Sequence, residues 1–293
     1  MTKRTNVSKC KLCGQESKLV EGHVIPKFVI SWLKKTSATG YIRQAVNPNL
    51  RKQDIQKVKL MCTNCERIFS TWERRFAQHL FIPFQEKKQS SFLYGDWLLS
   101  FAVSLAWRMV TVGVDNFGKS KPELSEYIDK ALDCWRAFLL VHSKTPGPYE
   151  HHLLLLDYVV DTHGIDLPNG ANWYFLRGVD TTIASSSKSV FVYSLLPGLV
   201  FWSCIHPPKQ EGWAGTHILS DGIMKQPQGA PCSFGYFLSH RAQEVIDYLE
   251  QMSEAQRQRI GSDMLSNPEA VIASKSFEVF LIEDSMRKRQ GKA

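Results

Sequence analysis

Two Cys-x-x-Cys pairs constrain this chain more than any other feature. Cys10-Lys11-Leu12-Cys13 and Cys62-Thr63-Asn64-Cys65 are separated by residues 14–61. Four thiolates in two such pairs can close a tetrahedral zinc site, so Cys10, Cys13, Cys62 and Cys65 are the expected zinc ligands and the chain between them must fold back on itself. Gly14 follows the first pair and relieves the tight backbone of a knuckle turn. The second pair follows the apolar run Val58-Lys59-Leu60-Met61. After it, Ile68, Phe69, Trp72 and Phe76 recur at helical spacing, which puts Cys65 in the first turn of a helix. The site would carry two further residues towards each other. One is His23, in Gly22-His23-Val24-Ile25-Pro26, and the other is Glu66, directly after the last cysteine.

Seven cysteines, an odd number with four in metal pairs, fit a reducing compartment better than a disulfide scaffold. The start, Met-Thr-Lys-Arg-Thr-Asn, is no apolar signal segment, and a cytoplasmic location is expected. Residues 97–114 approach membrane length, but Arg108 sits inside them and Ser100, Ser104 and Thr111 interrupt them, so they read as a buried core helix and no membrane partner is expected.

The net charge of +8 is unevenly placed. Residues 1–90 hold 18 Lys and Arg against 6 Asp and Glu, a balance of 18 − 6 = +12; the remaining residues hold 18 against 22, a balance of 18 − 22 = −4. A positive field confined to the cysteine-bearing segment is what a polyphosphate selects, and nucleic acid, DNA above all, is the expected partner. Lys34, Lys35, Arg51, Lys52, Arg74 and Arg75 are the candidate phosphate contacts.

With 293 residues, 43% of them hydrophobic, the chain can build two or three packed units. The expected class is α+β: a zinc module over 1–84, a helical segment over 96–149, and a mostly antiparallel sheet with terminal helices over 150–293. Residues 85–95 read as a polar connector and Asp96 as the N-cap of the first long helix. A second helix is expected from Pro122 to about His142. Runs at 152–160, 173–179, 189–195, 199–205 and 213–219 read as strands, with Pro197-Gly198 as a hairpin turn. Ser239 reads as the cap of a helix over 240–252, and Ser253 or Asn267 as the cap of further helices. His151-His152 reads as a solvated strand end, Cys204 as a core thiol, and Trp173-Tyr174-Phe175 as strand aromatics.

A knuckle, a hairpin and a helix supplying the second cysteine pair describe a treble clef. In that layout residues 10–79 resemble the zinc-supported branch of the HNH nucleases, in which Cys-x-x-Cys is followed by Asp-His, an apolar residue and Pro, and then by the second Cys-x-x-Cys. The resemblance implies that His23 activates water against a scissile phosphate. It also implies that Glu66 faces a catalytic Mg²⁺ or Mn²⁺. The C-terminal region, outside the resemblance, is expected to sense a signal or bind a protein partner. Gly22 stands where the family carries an acidic ligand, and the middle Asn of the motif has no unique counterpart. Two rival readings stand beside this one: a non-catalytic zinc-stabilised nucleic-acid-binding protein, and a protein-interaction module. In their terms His23 is a buried hairpin histidine, Glu66 a first-turn carboxylate facing the helix dipole, and Glu73 a solvated group or a partner of Arg74 or Arg75.

Overall fold

The computed structural model describes residues 7–55, 57–159 and 165–289. In chain order the cysteine-bearing part contains β1 (Val7–Lys9), β2 (Glu16–His23), α1 (Lys27–Lys35), β3 (Ile42–Gln44), β4 (Asn47–Lys52), β5 (Lys57–Cys62) and α2 (Thr63–Phe76). A π-helical turn, Ala77–Phe81, joins α2 to α3 (Ile82–Gln85), and then come β6 (Ser91–Tyr94), α4 (Asp96–Ser120) and α5 (Ser125–Leu139). The C-terminal part holds β7 (His151–Leu155), α6 (Ala171–Arg177), β8 (Asp180–Ser185), β9 (Val190–Leu196), β10 (Leu199–His206), β11 (Gly222–Lys225), α7 (Cys232–Glu250), α8 (Glu254–Leu265), α9 (Pro268–Ile272) and α10 (Lys275–Arg289).

Among the described residues every strand pair is antiparallel, which fits the α+β class. β2 runs between β1 and β5 in a three-stranded sheet, and β7, β10, β9 and β8 lie side by side in that order in a four-stranded one. The Pro197-Gly198 pair turns β9 into β10, with Gly198 at φ +69°, a left-handed conformation that glycine adopts without strain.

The four-stranded sheet is covered on both faces. Val190, Val192, Leu196, Leu199, Phe201 and Ile205 pack towards α4 and α5, while Tyr193, Leu195, Val200, Trp202 and Cys204 pack towards α6 and α7. This is the period-two alternation of strands buried on both sides. The first of these clusters also holds Cys10, Leu12, Cys62, Cys65 and Phe69, so one apolar core extends from the cysteines to the sheet. At its centre Phe76 of α2 stacks on Phe101 of α4 at 4.0 Å, and both meet Phe201 of β10 edge-on at 5.6 and 5.5 Å. Helix α4 is long and apolar enough to cross a membrane by composition, and 72% of its most apolar window is buried inside the fold.

Several expected elements differ. Residues 173–179 are not a strand: 171–177 form α6, because Gly170 (φ +88°) ends the preceding turn and Ala171, Asn172, Tyr174 and Phe175 bury one helical face. Its first turn is held from outside, the N–H groups of Gly170 and Asn172 donating to the Glu283 carboxylate. The strand follows as β8, which the sequence reading missed. Residues 213–219 make only isolated bridges, His217 with His152 and Ala214 with Gly229. The expected connector contains β6, paired with β11. Residues 152–159 are strand only as far as Leu155, and Val160 lies outside the described residues. Asp96 is the first helical residue and not a cap, Gly95 holding that position. Ser239 lies inside α7 and donates to the carbonyl of Asp166, whereas Ser253 and Asn267 do cap α8 and α9 through Gln256 N–H and Ala270 N–H.

Candidate functional site

The first cysteine pair sits in a turn closed by Gly14 N–H donating to Cys10 O and Cys10 N–H donating to Gln15 O, both at 2.9 Å, with Gly14 at φ +77°. A side chain at Gly14 would meet the Arg136 guanidinium at 2.8 Å, and Arg136 of α5 donates to Leu12 O, so the knuckle is clamped from the helical segment. β5 delivers the second pair: Lys11 N–H donates to Leu60 O, Cys62 ends the strand, and Cys65 lies in the first turn of α2. The four Sγ atoms lie within 4.8 Å of one another, and all seven cysteines are free thiols.

This donor set fits a soft cation. Burial and the neighbouring sulfurs push the Cys65 thiol up, whereas at Cys10 burial is outweighed by N–H groups of Cys13, Cys62 and Leu12, which pull it down to about 7. Thiols this close oppose one another's ionisation, and a bound cation with tetrahedral preference, such as zinc, resolves the conflict.

His23 ends β2 opposite Lys57, four residues along the strand from Leu19, which pairs with Cys62. The β2–β5 ladder shifts register between Val20 and Gly22, which re-aims the end of the strand. His23 Nε2 lies 3.0 Å from Asp54 Oδ1, and the side chains are 13% and 33% exposed, so the pair is reachable from solvent and not sealed in the core. Asp54 also binds Lys57 Nζ at 2.8 Å. The Lys57 ammonium, then Ile55 N–H and His23, hold the Asp54 carboxyl well below the usual carboxylate range against the opposing effect of burial. A carboxylate only accepts, so neutral His23 donates from Nε2 and keeps a lone pair on Nδ1.

Glu66 occupies the space next door. A methyl group built on Gly22 would come within 2.1 Å of Glu66 Oε1, so the glycine is where the glutamate packs. Burial raises the Glu66 carboxyl, the nearby Arg108 opposing and Glu73 reinforcing that rise. Arg108, from α4, is 3% exposed and joins the parts: its Nη1 donates to Glu73 Oε1 at 2.7 Å and to His23 O at 3.0 Å. Its Nη2 is buried without a partner. Glu73 therefore pairs with Arg108 and not with Arg74 or Arg75, because its helical face turns inward onto α4.

Comparison with family models, with curated proteins and with solved structures finds no match to this chain. The site is thus read from its own residues. Asp54, Lys57 and Arg108 were missed as site residues. Asp54 lies in a turn with no periodic pattern, whereas a lone arginine in an apolar helix was a usable signal, since a buried charge needs a partner.

The candidate phosphate contacts are unequal. Lys35 and Arg74 are exposed, and Arg75 faces solvent with Asp96 3.9 Å away. Lys52 is half-buried, and Lys34 donates to Gln53 O at 3.1 Å. Arg51 is paired with Asp263 at 2.5 Å and lies over the Tyr41 ring, so its guanidinium is already engaged. Elsewhere, His151 and His152 are 1% and 2% exposed, not solvated: His151 Nδ1 bonds Ser203 Oγ and His152 Nδ1 bonds Thr216 Oγ1. Cys204 is a core thiol, burial pushing it up to about 12.

Proposed function

We propose that this chain is an HNH-like, metal-dependent endonuclease that cleaves phosphodiester bonds, of DNA in the first instance, from a treble-clef zinc module. The hydrogen bond of His23 with ionised Asp54 carries the reading, and Glu66 packs against the backbone of the adjoining Gly22. In it, His23 Nδ1 takes the proton of the attacking water while Asp54 fixes the ring and stabilises the imidazolium that forms. Asp54 thereby fills the orienting position for which the sequence offered no unique asparagine. Arg108 fixes the His23 backbone through its carbonyl, and the exposed cations of α1 and α2 hold the phosphate backbone. A divalent ion held by Glu66 would neutralise charge on the leaving oxygen. Cys10, Cys13, Cys62 and Cys65 hold zinc and build the frame.

The test is cleavage of single- and double-stranded DNA and of RNA by the zinc-loaded protein with Mg²⁺ or Mn²⁺. His23→Ala should abolish cleavage with zinc content and melting temperature unchanged. Wild-type protein that binds nucleic acid but cleaves none of these substrates with either ion sinks the reading. One observation favours a second reading, a zinc-stabilised nucleic-acid-binding protein without catalysis: Arg108 already pairs Glu73, which leaves Glu66 as the carboxylate available to an ion on that helix face.

A further inference from the structure

Away from the cysteine cluster, a cavity of about 410 Å³ opens where the N-terminal and C-terminal parts of the chain meet. Its walls come from α1, the turn after α3, the segment following β7, α6 and α10, and none of its lining residues belongs to the cysteine cluster or to the His23 group. Small-molecule sites occupy roughly 300–1,000 Å³. Trp32, Phe84 and Tyr158 line it with aromatic rings, Arg177 lying over Trp32 and Lys87 over Tyr158. Lys88 is paired with Glu86 at 2.5 Å, so Lys87, Arg177 and Lys275 face Asp157 and Glu278, a balance of 3 − 2 = +1.

The cations are held in two ways. Lys87 and Lys275 converge on Glu278 at 3.3 and 2.7 Å, and the Tyr158 hydroxyl donates to the same carboxylate at 2.6 Å. Lys87 does this from a left-handed backbone, φ +51°, which a lysine adopts only where its surroundings hold it. Arg177 differs, because its direct partners are neutral. It donates to Thr36 Oγ1 at 2.8 Å and Leu33 O at 2.9 Å and lies 5.1 Å from the centre of the Trp32 ring. Burial lowers its pKa to about 10, with only Glu278 opposing that effect. A guanidinium taken from water against neutral acceptors is under-compensated, and an anion in the cavity would correct that.

Flat aromatic walls, an excess of positive charge and an under-compensated arginine match one ligand class. We propose that this cavity binds a nucleoside monophosphate, with the phosphate between Arg177, Lys87 and Lys275 and the base against the aromatic walls. Glu278 stands in for the phosphate, keeping the two lysines together and competing with it. The same chemistry comes from a free mononucleotide or from the 5′-phosphorylated end of a nucleic acid strand. Because α1 lies between the two cysteine pairs and α6 and α10 belong to the C-terminal part, occupancy of the cavity ties the two ends of the chain together.

Calorimetric titration of the full-length, zinc-loaded protein at low salt tests this with AMP, GMP, CMP and UMP in turn, inorganic phosphate, and a hexanucleotide with and without its 5′-phosphate. At least one nucleotide should bind saturably, and inorganic phosphate at least about tenfold more weakly. Arg177→Gln and Lys275→Gln should each weaken the nucleotide roughly tenfold, and Glu278→Gln should tighten it. Should Arg177→Gln fail to fold, the opposite signs at positions 275 and 278 carry the test, since a merely structural loss shifts both the same way. A hexanucleotide that binds only with its 5′-phosphate identifies a strand end as the source; binding of mononucleotides alone identifies a free ligand. Absence of saturable nucleotide binding, phosphate binding as tight as the nucleotide, or failure of Lys275→Gln and Glu278→Gln to move affinity in opposite directions would overturn the proposal.

Discussion

Gly22 and Glu66 share one space, and this decides how the site can be altered. A Cβ at position 22 has nowhere to go unless the Glu66 carboxylate moves, so Gly22→Ala should destabilise the protein by about 1–3 kcal/mol and shift Glu66. Thermal denaturation with and without Glu66→Ala checks this, because the shorter side chain should restore most of the loss. Asp54→Asn is the complementary change. It removes the ionised acceptor that sets the His23 tautomer, and in the proposed mechanism it should lower the cleavage rate by at least about tenfold while leaving zinc content intact. A rate equal to wild type would remove Asp54 from the machinery. Arg108→Met should also destabilise, by about 1–3 kcal/mol, since it leaves the half-buried Glu73 and the carbonyl of His23 without their partner.

Strand β7 carries a pH signal on the acid side. His151 and His152 are both lowered to about 3, by burial first and then by neighbouring histidines, despite Glu150 at 3.6 Å from His152. Their folded values lie below the ordinary 6.5, so the unfolded chain binds more protons between pH 6.5 and 3. Stability from these two groups is therefore level above pH 6.5 and falls as the pH drops towards 3. The melting temperature should show that slope, and His151→Asn with His152→Asn should flatten it even if the double variant starts less stable. The sequence misled here because two adjacent polar residues at the start of a run look like a solvated end; Ser203 and Thr216, far along the chain, supply the bonds that let them be buried. The same limit explains α6, whose aromatics suit a strand until the distant Glu283 carboxylate caps its first turn. Where the signal was local it was legible: both cysteine pairs, the helix bearing Cys65, the Pro197-Gly198 turn and the caps Ser253 and Asn267 all read directly from neighbouring residues. His23 could be found by its place between the cysteine pairs, but Asp54 and Arg108 join it only through tertiary contacts.

Across the whole molecule, Phe76, Phe101 and Phe201 weld the cysteine-bearing part to α4 and the sheet, so metal loss should not unfold one end alone. Chelation should lower the melting temperature of the entire chain, and calorimetry should show one transition; two separate transitions, only one of them sensitive to chelator, would contradict the continuity of the core. Nucleic acid binding, if it rests on the basic first part, should weaken steeply with added salt, and charge reversal at Lys35 and Arg74 should reduce the slope of log affinity against log salt. Helix α4 also sets an order of events during synthesis. It leaves the ribosome as an apolar segment of membrane-spanning composition, yet β8, β9 and β10, which cover it, have not been made until the chain reaches His206. Over that interval α2, already made, and α5, made next, are its packing partners, and Arg108 with Ser100, Ser104 and Thr111 marks it as a segment that belongs inside a protein.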